Sequence, residues 1–307
     1  MNTICVIINP FAQGGKINGN SSDYLKHLTN NGINFDVYPT KSPRHSIELV
    51  EELINDYDVF MSIGGDGLVH EIIQVLSNKK NKTLAVAPAG NGNMFARHHK
   101  LNDFYDVIRA IKENRRIPID LVKLNFKTES NESKTIYSHC IFGIGYIENV
   151  VTHGNYMFRK LGPKFCYPLS SIAASLKLYS FCTNVKIDKK SREFSHANTI
   201  ICLNHGKVGP FDLAESVIDT DGLLDYVIYH DLSIAECFYC ILDTVLGLFK
   251  FDSHRLAGKA KKIEFELDEP LYLMIDGESY EKIIHLKAEV IANALYTYSM
   301  KNIPQKS

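Results

Sequence analysis

The chain has no excess of charge of either sign. Its 307 residues carry 34 lysines and arginines against 35 aspartates and glutamates, so no global field marks a nucleic-acid binder and any basic function must be local. It also lacks the cysteine pattern of a disulfide scaffold or a zinc module. The seven cysteines, Cys5, Cys140, Cys166, Cys182, Cys202, Cys237 and Cys240, are odd in number, scattered and mostly set in apolar runs. That suits buried thiols in a reducing compartment, without disulfides. Cys237 and Cys240 have metal-like spacing, but no second pair shares it and the segment around them reads as an apolar helix, which favours core packing over zinc. No run supplies the roughly 20 apolar residues needed to cross a bilayer; the most apolar stretch, residues 233–251, contains Glu236 and Asp243. The opening MNTICVIINP has no basic segment before its short apolar run, so a signal peptide is not expected and a cytoplasmic location is.

What is present is organised around residues 58–76, DVFMSIGGDGLVHEIIQVL. Residues 58–63 form an apolar run of the buried parallel-strand type, and Leu68, Val69, Ile72, Ile73, Val75 and Leu76 recur at helical spacing. Between them lies Gly64-Gly65-Asp66-Gly67. Three glycines in four positions let the backbone turn sharply and approach a ligand, and leave amide N–H groups where a helix N-terminus concentrates positive potential. A polyphosphate fits such a turn. The carboxylate of Asp66 would repel phosphate unless Mg²⁺ or a proton to be abstracted lies beside it. An ordinary βα turn, with glycine and aspartate serving geometry and capping alone, is the plainer reading of the same residues.

Two similar turns flank it. Residues 3–8, TICVII, read as a strand running into Asn9-Pro10-Phe11-Ala12-Gln13-Gly14-Gly15-Lys16, where Pro10 stops the strand and the glycine pair permits close approach. A helix over residues 21–31, a strand over 34–38 ending before Thr40, and a helix over 46–54 follow. After the central helix, residues 83–87 form a short strand ending in Pro88-Ala89-Gly90-Asn91-Gly92-Asn93, and residues 104–112 one more helix. Three glycine-rich strand-to-helix turns predict a doubly wound α/β sheet with all three on one rim, where open parallel sheets bind ligands. The length fits two domains.

With these turns in place, the N-terminal third resembles the diacylglycerol kinase catalytic domain family, and within it the sphingosine and ceramide kinases. Residues 64–71, GGDGLVHE, resemble the family's GGDG signature; residues 88–93 resemble its PAGSGN turn, with Asn91 in place of serine; and residues 9–15 resemble its NPxxGxG opening. The resemblance implies an α/β nucleotide-binding domain over residues 1–118 and a β-rich lid over 119–307, with room for the last residues to return to the first domain and the active site in the interdomain cleft. It places ATP on Asn9, Gly14, Gly15, Thr40, Gly64, Gly65, Gly67, Leu68, Glu71, Gly90, Asn91, Gly92 and Asn93. It makes Asp66 a candidate general base or Mg²⁺ partner, and Arg159 and Lys164 candidate grips on the triphosphate. Residues 219–225, DTDGLLD, resemble a loop that holds a structural Mg²⁺ in some bacterial members, which would use Ile218, Asp221 and Leu223. Residues 274–278, MIDGE, resemble the late DGE motif, bringing Asp276 to the cofactor and Glu278 into competition with Asp66 as base; read alone, they are a turn between strands 271–274 and 282–287.

The implied reaction is transfer of the ATP γ-phosphate to a lipid hydroxyl. Sphingosine kinases place an aspartate shortly after the Gly-Phe that Gly145-Tyr146 resembles. Here only Glu148 could supply that charge, out of register, which leaves a neutral acceptor such as diacylglycerol or ceramide open. Residues 165–181 and 237–251 are rich in Phe, Tyr, Leu and Ile, enough to line an acyl tunnel or dock reversibly on a membrane, or simply to pack the second domain. The rival readings are an NAD kinase-like enzyme with a soluble acceptor and a catalytically silent lipid- or nucleotide-binding module.

Overall fold

The β-branched run at the start forms a fully buried strand, β1 (Ile4–Ile8), at the centre of a parallel sheet. The computed structural model describes residues 3–12, 17–158, 163–205, 207–208, 211–214, 217–248 and 253–301, with 17–21, 157–158, 163–164, 207–208 and 211–212 described by backbone alone. Two compact units divide the chain: Met1–Ile119 with Asn293–Ser307, and Asp120–Ala292.

In the first unit the order after β1 is α1 (Ile17–Asn30), β2 (Phe35–Pro39), α2 (His45–Leu53), β3 (Val59–Gly64), α3 (Asp66–Leu76), β4 (Thr83–Pro88), α4 (Met94–His98) and α5 (Phe104–Lys112). The strands lie in the order β4-β3-β1-β2, all parallel. Their carboxyl ends are level: Ile8 pairs with Pro39 and with Ile63, and Gly64 with Pro88. Register therefore brings the segments after β1, β2, β3 and β4 to one rim. Helix α3 buries Leu68, Val69, Ile72, Ile73 and Leu76, the stripe expected from their spacing. Helix α5 is capped by Asp103, whose side chain accepts from Asp106 N at 2.9 Å, an interaction worth about 1 kcal/mol.

In the second unit, β5 (Arg116–Thr128), which starts in the first unit, pairs antiparallel with β6 (Ser133–Ser138). Next come β7 (Ile141–Gly145), α6 (Tyr146–His153), a π-helical turn at Gly154–Phe158, α7 (Pro163–Ser175), β8 (Phe181–Ile187), β9 (Lys190–Leu203), the short pair β10 (Lys207–Val208) and β11 (Phe211–Asp212), β12 (Leu224–His230), α8 (Ile234–Val245), β13 (Arg255–Ala260), β14 (Lys262–Ile275) and β15 (Glu278–Tyr298). The main sheet runs β13-β12-β9-β7-β14-β15, with β8 bonded to both β14 and β9. Its core gathers Phe126, Phe142, Phe181, Phe194 and Phe265 with aliphatics from facing strands. The end of β15 belongs to the first unit, where Thr297 pairs in parallel with Leu84 of β4. Among the described residues no helix is long and apolar enough to cross a membrane.

Candidate functional site

Level strand ends make the rim of the first unit a row of turns. Asn9 follows β1; its side-chain oxygen accepts from Phe11 N at 3.0 Å and its N–H donates to Ile63 O at 3.1 Å, tying the first turn to β3. Thr40 follows β2, buried, its N–H donating to Ile8 O at 2.8 Å. Gly14, Gly15 and Arg159 lie outside the described residues, as does the side chain of Lys164.

The second and third turns are packed backbone to backbone. A Cβ on Gly90 would fall 2.5 Å from Gly65 Cα, so neither turn can keep its place with a side chain there. Asn93, at φ 50°, turns its side-chain oxygen back to accept from Gly90 N at 2.7 Å, while Asn91 is exposed. A Cβ on Gly64 would meet Leu68 Cδ2 at 2.6 Å, and Leu68 itself is buried in the core of the unit. Gly67 differs: a Cβ there meets nothing within 4 Å.

Asp66 opens α3, half-buried, behind an extended Gly65 at φ −91°. Its Oδ1 accepts from Phe95 N at 3.3 Å, so the carboxylate of the second turn bonds to the first turn of α4 beyond the third. Glu71, one turn further along α3, faces α2: Oε1 accepts from Arg44 N at 3.0 Å and Oε2 accepts from the Ser46 hydroxyl. Both carboxylate oxygens of this expected ATP residue thus also anchor the start of α2, an arrangement no spacing rule foretells.

In the second unit the DGE turn is a two-residue hairpin between β14 and β15, with Ile275 paired to Glu278 and positive φ at Asp276 and Gly277 (49° and 91°), as a tight Asp-Gly hairpin requires. Asp276 is buried. Its Oδ1 accepts from the Ser138 hydroxyl at 2.7 Å, Cys140 N at 2.9 Å and Ile141 N at 3.1 Å, and its Oδ2 from His139 N at 3.2 Å. The carboxylate expected at a cofactor thus fastens the segment before β7, and Glu278, exposed, is held two residues away on a fixed turn. Glu148 is also buried, its Oε1 accepting from Thr152 at 2.6 Å and Ser279 at 2.7 Å.

The loop expected to hold a structural Mg²⁺ is arranged around an ammonium. Asp221 accepts from Leu223 N at 3.0 Å and from Lys259 Nζ at 2.9 Å, and Lys259 reaches Asp225 at 3.4 Å. Burial pushes the Asp225 carboxyl up, and the Lys259 charge opposes that rise. Ile218 is exposed and Gly222 N donates to Asp120 at 2.7 Å. Lys259 thus supplies positive charge beside Asp221 and Asp225 in the loop that carries Ile218, Asp221 and Leu223.

An apolar pocket opens within the second unit, lined by Tyr146, Ile147, Val150 and Val151 of α6, Tyr167 and Pro168 of α7, Cys237, Cys240, Ile241 and Val245 of α8, and Ile201, Tyr229 and Met274 of the sheet. It spans about 1020 Å³ of non-protein space, open solvent included. Polar groups are few: Thr199, Asn198, Ser171 and Thr244. Tyr146 donates its hydroxyl to Ser171 O at 2.8 Å, and burial pushes its pKa up. The apolar runs at 165–181 and 237–251 signalled α7 and α8; the α6 wall carried no such signal.

Residues 3–124 match the model of the diacylglycerol kinase catalytic domain. This stretch belongs to the diacylglycerol kinase catalytic domain family. A Bacillus subtilis protein named "Putative lipid kinase YtlR" is 26% identical over 294 residues, covering 89% of this chain and 92% of its own. The fold matches a Bacillus anthracis structure described as a "putative diacylglycerol kinase", with TM-score 0.78, 21% identity and 97% of each chain covered. It is also similar to yeast NADH kinase in complex with NADH, with TM-score 0.52, 12% identity, and 98% of this chain and 84% of that one covered. The fold is thus the mixed α/β architecture of those proteins, with a β-rich C-terminal region.

Proposed function

We propose that this protein is an ATP-dependent lipid kinase that transfers the γ-phosphate to a hydroxyl of a diacylglycerol-like or sphingoid lipid. The observation that carries the reading is Gly67: among the described residues nothing stands within 4 Å of its missing side chain, which leaves room for a ligand to approach the start of α3. The first amides of a helix have no intrahelical acceptor and attract phosphate. Asn9, Thr40 and Asn91 stand on the same rim, and Arg159 and Lys164 are the cations assigned to the triphosphate.

Phosphoryl transfer asks mainly for positioning and charge neutralisation. Asp66 offers a hard carboxylate that would hold Mg²⁺, and that ion would supply neutralisation of the charge developing on the transferred group. A carboxylate is a weak base for an alcohol, so Asp66 or Glu278 orients the acceptor hydroxyl and takes its proton late. Asp276 acts as a positioning residue for Glu278.

The apolar pocket suits an acyl or alkyl chain. Beside it, α7 exposes Phe165, Leu169 and Ile172, with exposed Leu176 just past its end, and α8 exposes Ile234, Phe238, Leu242 and Val245, each set at spacings of three or four residues. A bilayer surface that presents the lipid would cover these stripes, giving peripheral, reversible membrane contact. The test is transfer of label from γ-labelled ATP to diacylglycerol, ceramide and sphingosine in vesicles, with NAD in parallel. Label in a lipid, abolished by Asp66→Asn, supports the reading; label in NAD alone, or none, contradicts it.

A further inference from the structure

The end of β12 and the chain ahead of β13 bring two imidazoles and a carboxylate together where phosphoryl transfer has no use for them. Pairing of β12 with β9 shifts register between Tyr229 and His230. Asp231 then takes φ 55° and donates its N–H to His196 O at 2.8 Å. His230 N donates to the His254 carbonyl at 3.0 Å, which fixes residue 254 alongside. His230 Nδ1 consequently lies 2.7 Å from Asp231 Oδ2, and the His230 and His254 rings are 6.0 Å apart between centroids. One ligating atom from each of His230, Asp231 and His254 lies within 4.8 Å of the others. A further carboxylate comes from the first turn of α8. Glu236 Oε1 stands 3.4 Å from His254 Nε2, while its Oε2 accepts from Ser233 N at 2.9 Å in the capping box that starts the helix.

We propose that His230, Asp231 and His254 form a site for a borderline divalent transition ion of the Zn²⁺ class, with Glu236 as the carboxylate that orients His254. Two imidazoles and one carboxylate, with a fourth position left to water, are a zinc donor set, whereas imidazole donors disfavour Mg²⁺ and Ca²⁺. Ligating histidines commonly give their second ring N–H to a carboxylate, which is the place Glu236 takes beside His254 Nε2. Tetrahedral zinc spaces its ligand atoms by about 3.3 Å. The group closes from its present spacing by rotation of side chains that are 17%, 52% and 30% exposed at His230, Asp231 and His254. The ion would join the end of β12 to the entry of β13 and, through Glu236, to the start of α8. Tyr229 and Leu232, flanking His230-Asp231, line the apolar pocket together with α8, so the ion would brace one wall of it. The inference is independent of the kinase reading.

The test uses the full chain, stripped with a chelator, loaded with zinc chloride and freed of loose metal by gel filtration. Elemental analysis should find about one equivalent of zinc per chain, and cobalt(II) in its place should give the visible bands of a four-coordinate site. Zinc should raise the melting temperature. His230→Ala/His254→Ala should retain under about a tenth of the metal and lose that rise, its fold checked by circular dichroism without metal. Glu236→Gln keeps a residue that serves the capping box and so keeps the helix, and should weaken zinc by about 10–100-fold; it carries the test if the double variant does not fold. No zinc on the wild type, or zinc held equally by the wild type and the variants, would overturn the assignment.

Discussion

Gly92 and Asp66 share a contact too close for a side chain: a Cβ on Gly92 would lie 2.6 Å from Asp66 Oδ2. The glycine of one turn thus sets where the carboxylate of another can stand. Because Asp66 Oδ1 also accepts from Phe95 N at 3.3 Å, the carboxylate is held between the two turns.

Gly92→Ala should therefore act through Asp66. The new methyl forces the carboxylate off its position, and turnover should fall at least about 100-fold, the scale of losing a placed acid–base group, with the melting temperature little changed. Gly90→Ala strikes the Gly65 backbone instead and should destabilise the unit by about 1–3 kcal/mol. Melting curves beside a kinase assay separate the two effects.

Asp276→Ala should unfold the second unit more readily than any loss at exposed Glu278. It removes the acceptor shared by the Ser138 hydroxyl and the N–H groups of His139, Cys140 and Ile141, for a cost of about 3–5 kcal/mol. Asp276→Asn keeps an acceptor and tolerates the positive φ, so it should cost less. Urea unfolding measures both; a loss under about 1 kcal/mol for the alanine variant would contradict the role.

Alkali should destabilise the protein through its buried thiols. Burial first, and the Asp36 charge second, push Cys5 up to about 12; burial pushes Cys240 up to about 12 and raises Cys202 as well. A raised folded-state pKa means the protonated thiol is favoured in the fold, so its stability is intact below the unfolded value, about 8.5, and falls as pH rises from there toward 12. Each thiol adds a slope of about 1.4 kcal/mol per pH unit in that window. Urea midpoints between pH 8 and 11 should show the decline, and Cys5→Val should make it shallower by the share of that one thiol.

Val150→Phe should narrow the apolar pocket, since Val150 is buried on its α6 wall. Transfer to long-chain acceptors should drop about tenfold or more, short-chain acceptors should suffer less, and ATP affinity should stay as it was. Equal losses for all chain lengths would remove the pocket from the lipid path.

Much of the first unit was legible because its signals are local. The run at residues 104–112 gave α5 its observed ends, and the three glycine turns announced a rim that strand register then levelled. Helix α1 starts at Ile17, four residues before the spacing of Leu25 and Leu28 suggested, since its first turn has no apolar stripe to mark it. The second unit was read chiefly by resemblance, because its sheet joins segments far apart: β12 pairs with β9 and β13, and β14 with β7, β8 and β15. The hydrogen bonds to Asp276 from residues 138–141, the grip of Glu71 on Arg44 and Ser46, and the His230–Asp231–His254 group arise from such long-range closures, which no periodicity encodes.

Gly67→Ala is the most direct test of the account. Among the described residues the substitution meets nothing within 4 Å, and it lies in the first turn of α3, where alanine favours helix by up to about 1 kcal/mol, so the variant should fold at least as well as the wild type. If the turn binds phosphate, label transfer from γ-labelled ATP to diacylglycerol vesicles should fall about 100-fold or more, while the wild type phosphorylates the lipid. A wild type that labels no lipid, or a Gly67→Ala variant that transfers label at the wild-type rate, would contradict it.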